Sequence, residues 1–525
     1  MAIRRKEPKT TGKADDSSQN SPLSHSLEDN LQQIREGLGD SLDLTIRHFE
    51  PLEWAPQVAA VYMVGINDKE TVDDFISHAM SFQAYRGEEE PKGLTGMDVL
   101  NYMKEKALNV GKQQPVTNLS ELFAALLSGN TIILIDGQDE ALSSNTSGGE
   151  VRSVSEAGTQ VSIRGSKESF TETISTNISL VRRRIRNPNL WVESMKLGAV
   201  TQTDIAIMYM HGIVNEEILG ELKKKLQEIR VDSILESGYI EQLIEESGYS
   251  PFPTLYNTER PDSVAGNLLD GRIAVFVDGT PFVLIAPTTF FMFFHTVEDY
   301  YQRFDISTLI RLLRFLCLLI SMFGPAIFVA ALNFHQEMIP TPLLINLASQ
   351  REGVPFPAFI EALMMEVTFE IIREAGIRLP SPIGQTVSII GGLVLGQAAV
   401  QAGIVSPAMV IVVSLTGISS FTTPAFNMAL SVRMLRFVIV FIAAFMGLYG
   451  IAIFSMMLVA HLCSLRSLGV PYMSPMAPFA PQDQKDTFIR SPIHFMKIRP
   501  RLADKSNNVR KKAGKGSGRG NSNES

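Results

Sequence analysis

Charged side chains are absent from Leu379 to Val432, a run of about 54 residues, where one helical crossing of a hydrocarbon core takes only about 20 apolar residues. Shorter uncharged runs, Phe315 to Phe334 and Phe437 to Ala460, lie on either side. These gaps exclude a chain that is water-soluble throughout, although 45% hydrophobic residues and a mean hydropathy of +0.10 resemble a soluble average. Cysteine is scarce: Cys317 and Cys463 each sit inside or beside an apolar run, which leaves no disulfide framework and no thiolate set for a metal. Met1 to Asn30 is polar and lacks the apolar core of a secretory signal, so the residues ahead of the apolar runs are expected in the reducing cytoplasm. No Walker sequence, Gly-x-Ser-x-Gly, His-Glu-x-x-His or Cys/His cluster occurs, so nothing favours an enzyme, a cofactor or a bound metal. The net charge of −8 disfavours a nucleic-acid partner, which would need Lys and Arg against its phosphates.

What is present divides the chain. Residues 1–40 read as a disordered polar N-terminus and 41–165 as a first α/β subdomain. Residues 166–300 read as a linker helix with a second α/β subdomain. Residues 301–470 form a transmembrane domain of about four spans, with an amphipathic helix at 356–378, and 471–525 are a Pro-rich, then basic, disordered tail. The fold class is thus an α/β cytoplasmic N-terminal region of two related subdomains, followed by an α-helical multi-pass transmembrane domain. The relation between the subdomains is a repeat. Val58 to Gly65 resembles Asp204 to Gly212, each a strand and turn leading to a helix, and Ser128 to Gly137 resembles Asp270 to Gly279. Strands alternating with helices predict mixed or parallel sheets covered by helices. Between the copies, Arg182, Arg183, Arg184 and Arg186 spread around a helix that Asn187-Pro188 ends, and some of them are expected to pair with carboxylates of a neighbouring domain or subunit.

The spans are predicted at about Leu312 to Phe334, with a kink at Gly324-Pro325, then Ile383 to Val405, Pro407 to Leu430, and Phe437 to Leu462. Arg303, Arg311 and Arg314 before the first span and the basic tail after the last place both ends in the cytoplasm. Arg433 and Arg436 then fall outside, against the same rule, and a re-entrant hairpin in place of one span would resolve the conflict. In the second span Gln385, Ser388, Ile389, Gly392 and Gly396 recur at three- and four-residue spacing. Such a stripe either packs closely against another helix or lines water, with Ile389 as a constriction that gates by dewetting. Glu366, Glu370 and Glu374 share a face of the amphipathic helix. They form either its solvated side at the interface or, repeated around a ring, a vestibule that concentrates monovalent cations. Arg373 and Arg378 stand near enough to offset their repulsion. The basic tail residues from Lys505 to Lys515 suit anionic lipid.

Several ordered blocks carry a specific resemblance. Phe170-Thr-Glu-Thr173 through Asn189-Leu190, Gly384-Gln-Thr-Val-Ser-Ile-Ile-Gly391, Gly396-Gln-Ala-Ala-Val400, His461-Leu-Cys-Ser-Leu-Arg466, Gly469-Val-Pro-Tyr472 and Ser474-Pro-Met476 resemble the A subunit of GerA-type spore germinant receptors over roughly residues 40 to 480. The resemblance implies a multi-pass protein of the spore inner membrane that works beside a permease-like B subunit and a lipoprotein C subunit. It implies a homo-oligomeric ring forming a nutrient-gated ion channel, with the nutrient recognised mainly by the B subunit. A-like proteins associated with the spore dipicolinic-acid channel share the same blocks. A membrane-anchored scaffold and a secondary transporter component are the remaining readings, and the inverted repeats that mark many transporters are absent from these spans.

Overall fold

The computed structural model describes residues 21–49, 56–80, 97, 100, 113–148, 158, 160, 162–246, 248–379, 390–481, 483–496 and 499. The chain divides into two compact units. The first gathers the described parts of Met1–Ile244, Asn257–Pro287 and Ile493–Ser525, and the second those of Glu245–Tyr256 and Thr288–Pro492.

The first unit is the repeat made visible. Its first copy runs α1 (Leu27–Leu38), β1 (Leu44–Phe49), β2 (Val58–Met63), α2 (Lys69–Met80), β3 (Gln113–Val116), α3 (Leu119–Leu127), β4 (Asn130–Ile135) and β5 (Ala141–Asn145). The second runs α4 (Ile174–Arg184), β6 (Leu190–Leu197), β7 (Thr203–Met210), α5 (Glu216–Glu228), α6 (Ser237–Ile244), β8 (Tyr256–Thr258), α7 (Pro261–Leu269), β9 (Ile273–Val277) and β10 (Val283–Ala286). The sheets have orders β1-β2-β4-β5-β3 and β6-β7-β9-β10-β8, the same arrangement twice. The expectation of mixed or parallel pairing is corrected. In the first sheet β1–β2, β2–β4, β4–β5 and β3–β5 are antiparallel, and in the second β6–β7, β7–β9 and β9–β10 are too. Short returns such as β4 to β5 and β9 to β10 allow no crossover helix, so they reverse the chain.

The repeat also reaches further upstream than its strands. Leu27 N donates to Asp136 Oδ1 at 3.0 Å as Ile174 N does to Asp278 Oδ1 at 3.1 Å. Asn30 closes a loop on Ser24 (2.8 and 2.6 Å) as Asn177 does on Thr171 (2.7 and 2.6 Å). The polar leader expected to residue 40 is therefore shorter, because Leu27, Leu31, Ile34 and Leu38 give α1 an apolar face and Ser26 caps it. That face packs on Ala59, Val61, Met63, Ile132 and Leu134, while Tyr62, Phe75, Ile133 and Ile135 form a core on the other side of the sheet. Burial on both faces is why β2 reads as an unbroken apolar run.

The second unit is helical: α8 (Phe304–Phe334), α9 (Thr341–Arg351), α10 (Ala358–Arg378), a π-helical turn at Ile390–Leu395 leading into Gly396–Gln401, α11 (Pro407–Ser420) and α12 (Phe426–Ser464). Among the described residues, α8 and α12 are long and apolar enough to cross a membrane, with mean hydropathies of 2.4 and 2.6. One expectation changes here: the helix expected from Pro407 to Leu430 stops at Ser420 and restarts at Phe426, with Pro424 between. Pro325, where a kink is expected, lies within a helix that continues to Phe334.

The last apolar run is not one straight span. Gly447 has φ 59° and ψ −148°, outside helical geometry. Ser431 Oγ donates to the Pro251 carbonyl, while the adjacent Ser250 Oγ bonds His461 Nε2 at 2.9 Å. On a straight helix residues 431 and 461 would stand about 45 Å apart. A Cβ at Gly450 would lie 3.3 Å from the Ile442 carbonyl oxygen, eight positions back, so the chain folds on itself at Gly447. α12 is thus a helical hairpin whose arms, Phe426–Met446 and Leu448–Ser464, return to one end. Phe334 and His335, at the end of α8, lie against its tip. Arg433 and Arg436 therefore belong to the same end of the hairpin as His461.

The tail also corrects an expectation. Pro471 pairs back with Arg466, and Phe488 packs against Phe291 (5.4 Å) and Phe315 (4.8 Å). Arg490 is buried, so order extends past Tyr472.

Candidate functional site

The arginine cluster on α4 resolves into separate roles. Arg182 is fully buried and bidentate to Asp43, with Nε to Oδ2 at 2.7 Å and Nη2 to Oδ1 at 3.0 Å. Its Nη2 also donates to Ser41 Oγ (2.8 Å), and that oxygen accepts the Val192 amide (2.9 Å). One guanidinium therefore ties the helix opening the second copy to the loop that enters β1 of the first, and the planar fork of Arg suits this bidentate task. Arg183 donates to the Gly148 carbonyl at 2.9 Å, also reaching the first copy. Arg184 turns to Glu168 and Ser166 within the second, and Arg186 is exposed.

In the helical unit α10 does not lie on a surface with a solvated acidic face. It packs among α8, α11 and α12. Gly417 leaves room for the Phe369 ring, which a Cβ there would meet at 2.4 Å, and Gly324 lets Thr416 of α11 approach α8. Packing against α12 brings two of the acids to arginines. Glu366, 1% exposed, accepts from Arg436 Nη1 at 2.7 Å, and Arg436 is itself fully buried. Glu370 accepts from Arg433 (3.0 Å) and Arg373 (3.3 Å) and stands 3.8 Å from Arg436 Nη2. Arg373 also donates to Ser420 Oγ (2.6 Å) and lies 4.7 Å from the centroids of both Phe369 and Phe421. Glu374 is exposed and pairs with Arg378. The three acids thus do not form one open carboxylate face: two are engaged with arginines of the bundle. Glu361, missed as a site by sequence reasoning, is buried and accepts from Ser406 N (2.9 Å), Ser406 Oγ (2.8 Å) and Arg351 Nε (3.2 Å). It joins the end of α9 and the start of α10 to the N-terminus of α11, where a negative charge is favoured.

Of the pore stripe, Gln385, Ser388 and Ile389 lie outside the described residues. Gly392 is exposed with no neighbour near its Cβ position, and Gly396 is half-buried near Val410. The adjacent Gly391 is the packing member, because its Cβ would meet Ile372 of α10 at 3.0 Å.

A second charged cluster at the start of α8 also escaped the sequence. Arg311, fully buried, donates to Asp299 (3.0 Å) and to Asp486 of the tail (2.8 Å), and Arg314 donates to Asp299 (2.9 Å). Tyr300 donates to Asp486 at 2.6 Å. His295 Nε2 bonds the Thr487 carbonyl at 2.9 Å. Burial, reinforced by the Arg311 charge, pushes the His295 imidazole down to about 4. Burial raises the Asp299 carboxyl, but the hydrogen bond and charge of Arg314 and the charge of Arg311 outweigh it and hold the group below its ordinary range. The signal available in the sequence was the spacing of Arg311 and Arg314 on one helix face, without the partners.

These features define a two-part membrane-associated protein: a duplicated α/β region and an apolar helical bundle with ion pairs inside it. The comparisons then name the family. The profile described as Bacillus/Clostridium GerA spore germination protein matches residues 32–502. Spore germination protein KA of Bacillus subtilis (strain 168) is 52% identical, covering 93% of this chain and 88% of its own. The uncharacterized membrane protein YfkQ of the same strain is 43% identical, covering 93% of each chain. Spore germination protein GerLA of Bacillus cereus is 40% identical, covering 92% and 96%. Among solved structures, the N-terminal domain of the A subunit of the Bacillus megaterium spore germinant receptor GerK3 is 43% identical, covering 52% of this chain and 98% of that one, with a TM-score of 0.40. The chain belongs to the GerA family of spore germination proteins.

Proposed function

We propose that this chain is the A-type subunit of a nutrient-gated ion channel in the spore inner membrane, crossing it several times with both ends in the cytoplasm. In this reading it acts as a homo-oligomeric ring beside a permease-like B subunit and a lipoprotein C subunit, and releases monovalent cations at the start of germination. The observation that carries the reading is the set of carboxylate–guanidinium contacts inside the helical unit. Glu366, Glu370, Arg433 and Arg436 stand among apolar helices, and ionisable groups in such places mark ion paths or the machinery that controls them. The stripe Gln385, Ser388, Ile389, Gly392 and Gly396 lines the path, with Ile389 as its constriction. Glu366, Glu370 and Glu374 serve as the cation vestibule once the arginines withdraw.

The test is potassium release from dormant spores carrying Ile389→Ala, with Val387→Ala and Ile390→Ala as positional controls. Leakage without nutrient on one helical face, at normal protein level, supports a gate. Intact dormancy and a normal response in all three support a membrane-anchored scaffold instead.

A further inference from the structure

We propose that Glu366–Arg436 and Glu370–Arg433 form a latch that clamps the first arm of the α12 hairpin to α10 in the resting protein. Release of the latch frees that arm to swing about Gly447. The inference rests on the channel reading and assigns the element that gates it.

Three observations converge. First, the start and the middle of α10 are held differently. Glu361 at its start has three hydrogen bonds, from Ser406 and Arg351, whereas the Glu366–Arg436 pair to α12 is incompletely satisfied. Among the described residues, buried Glu366 Oε1 and Arg436 Nε have no hydrogen-bond partner, and Arg436 Nη2 has only Glu370 at 3.8 Å. A buried pair must recover the cost of leaving water through complete hydrogen bonding, and one left half-satisfied holds two elements together without a large net gain. The start of α10 is therefore an anchor, and the pairs farther along are a poised contact.

Second, the charges do not cancel. Arg373, Arg433 and Arg436 face Glu366 and Glu370, leaving one positive charge in excess. Arg373 lies near the faces of Phe369 and Phe421 and bonds Ser420, contacts that do not involve α12. It can stay with Glu370 when α12 leaves. Third, the hairpin has a defined pivot. Gly447 adopts a positive φ that other residues resist, and its surface is filled by Phe334 and His335, so the tip stays seated while the arm moves.

The test uses dormant spores making the full chain with its natural partners. Potassium release is titrated with a mixture of the common amino acids and glucose, and protein level is read by immunoblot. Glu366→Asp and Arg436→Lys keep each charge but weaken the pair, and are expected to lower the half-maximal nutrient concentration about tenfold at unchanged protein level. Arg436→Glu is expected to leak without nutrient, and the double reversal Glu366→Arg with Arg436→Glu to restore dormancy. An unchanged half-maximal concentration in the two weakened variants, with maximal release falling only in step with protein level, makes the pair structural and overturns the latch. The channel reading survives that result if Ile389→Ala still leaks. Normal release from spores lacking the chain altogether overturns both.

Discussion

At the scale of single residues, charge placed beyond the reach of water governs this protein. Arg182 and Asp43 illustrate the cost of separating such a pair. Arg182→Ala leaves the Asp43 carboxylate buried without its bidentate partner and should lower stability by about 3 to 5 kcal/mol. Arg186→Ala, four positions on and exposed beyond the end of α4, should change it by less than about 0.5 kcal/mol. Thermal unfolding of the detergent-solubilised full chain compares the two, and equal effects would contradict the assignment. His295 makes a pH prediction. Its folded pKa of about 4 lies below the ordinary value near 6.5, so between those values the unfolded chain binds a proton that the folded one refuses. Stability is full above about pH 6.5 and falls as pH drops toward 4, by on the order of 3 kcal/mol at the limit. Asp299, depressed in the folded state, adds a further loss at lower pH, as its carboxylate is protonated. Substituting His295 with Gln should flatten the upper part of this profile, as read by melting temperature against pH.

At the scale of elements, the decisive one is the α12 hairpin. Its uncharged run from Phe437 to Ala460 has the length and composition of a single span, and hydropathy cannot distinguish that from two arms meeting at Gly447. The discriminating measurement is the labelling of single cysteines at Ser431 and His461, in a chain whose Cys317 and Cys463 are replaced, by a membrane-impermeant reagent. The hairpin predicts that both react from the same side, whereas a straight span puts them on opposite sides. Gly447→Ala should destabilise the turn by about 1 to 3 kcal/mol, because φ 59° with ψ −148° is open essentially to Gly alone, with a further cost from the contact its Cβ would make 2.9 Å away at His335. A lower melting temperature and reduced yield are the expected readouts. α10 teaches a related point. Its acids suggested a helix lying on the interface, but Gly417 and Gly391 admit Phe369 and Ile372 of α10 into close contact, and Arg433 and Arg436 pair with Glu370 and Glu366, so it enters the bundle.

At the scale of the whole molecule, duplication explains the α/β region. Two sheets of the same order, each held by an equivalent Asp at the preceding helix N-terminus, keep the second copy's Leu27 counterpart at Ile174. Asp136→Ala and Asp278→Ala should each loosen one copy by about 0.5 to 2 kcal/mol, the range for loss of a helix-end acceptor, and hydrogen exchange should show protection lost at α1 in the first and α4 in the second. Exchange that changes equally in both copies would count against two equivalent modules.

The residues alone determined that the chain has an apolar helical half and a duplicated α/β half. Missing charge and recurring apolar strands are local patterns, legible without coordinates, and they also exposed the misfit at Arg433 and Arg436. The blocks that resemble the GerA family were equally legible. Only the tertiary structure decided the antiparallel sheets, the fold of α12 onto itself and the partners of the buried arginines. The physical reason is range: periodicity reports which face of an element is apolar, whereas Glu366 and Arg436 meet across seventy positions only once α10 and α12 pack side by side. A sign of charge can be read at each position, but its neutralisation depends on packing.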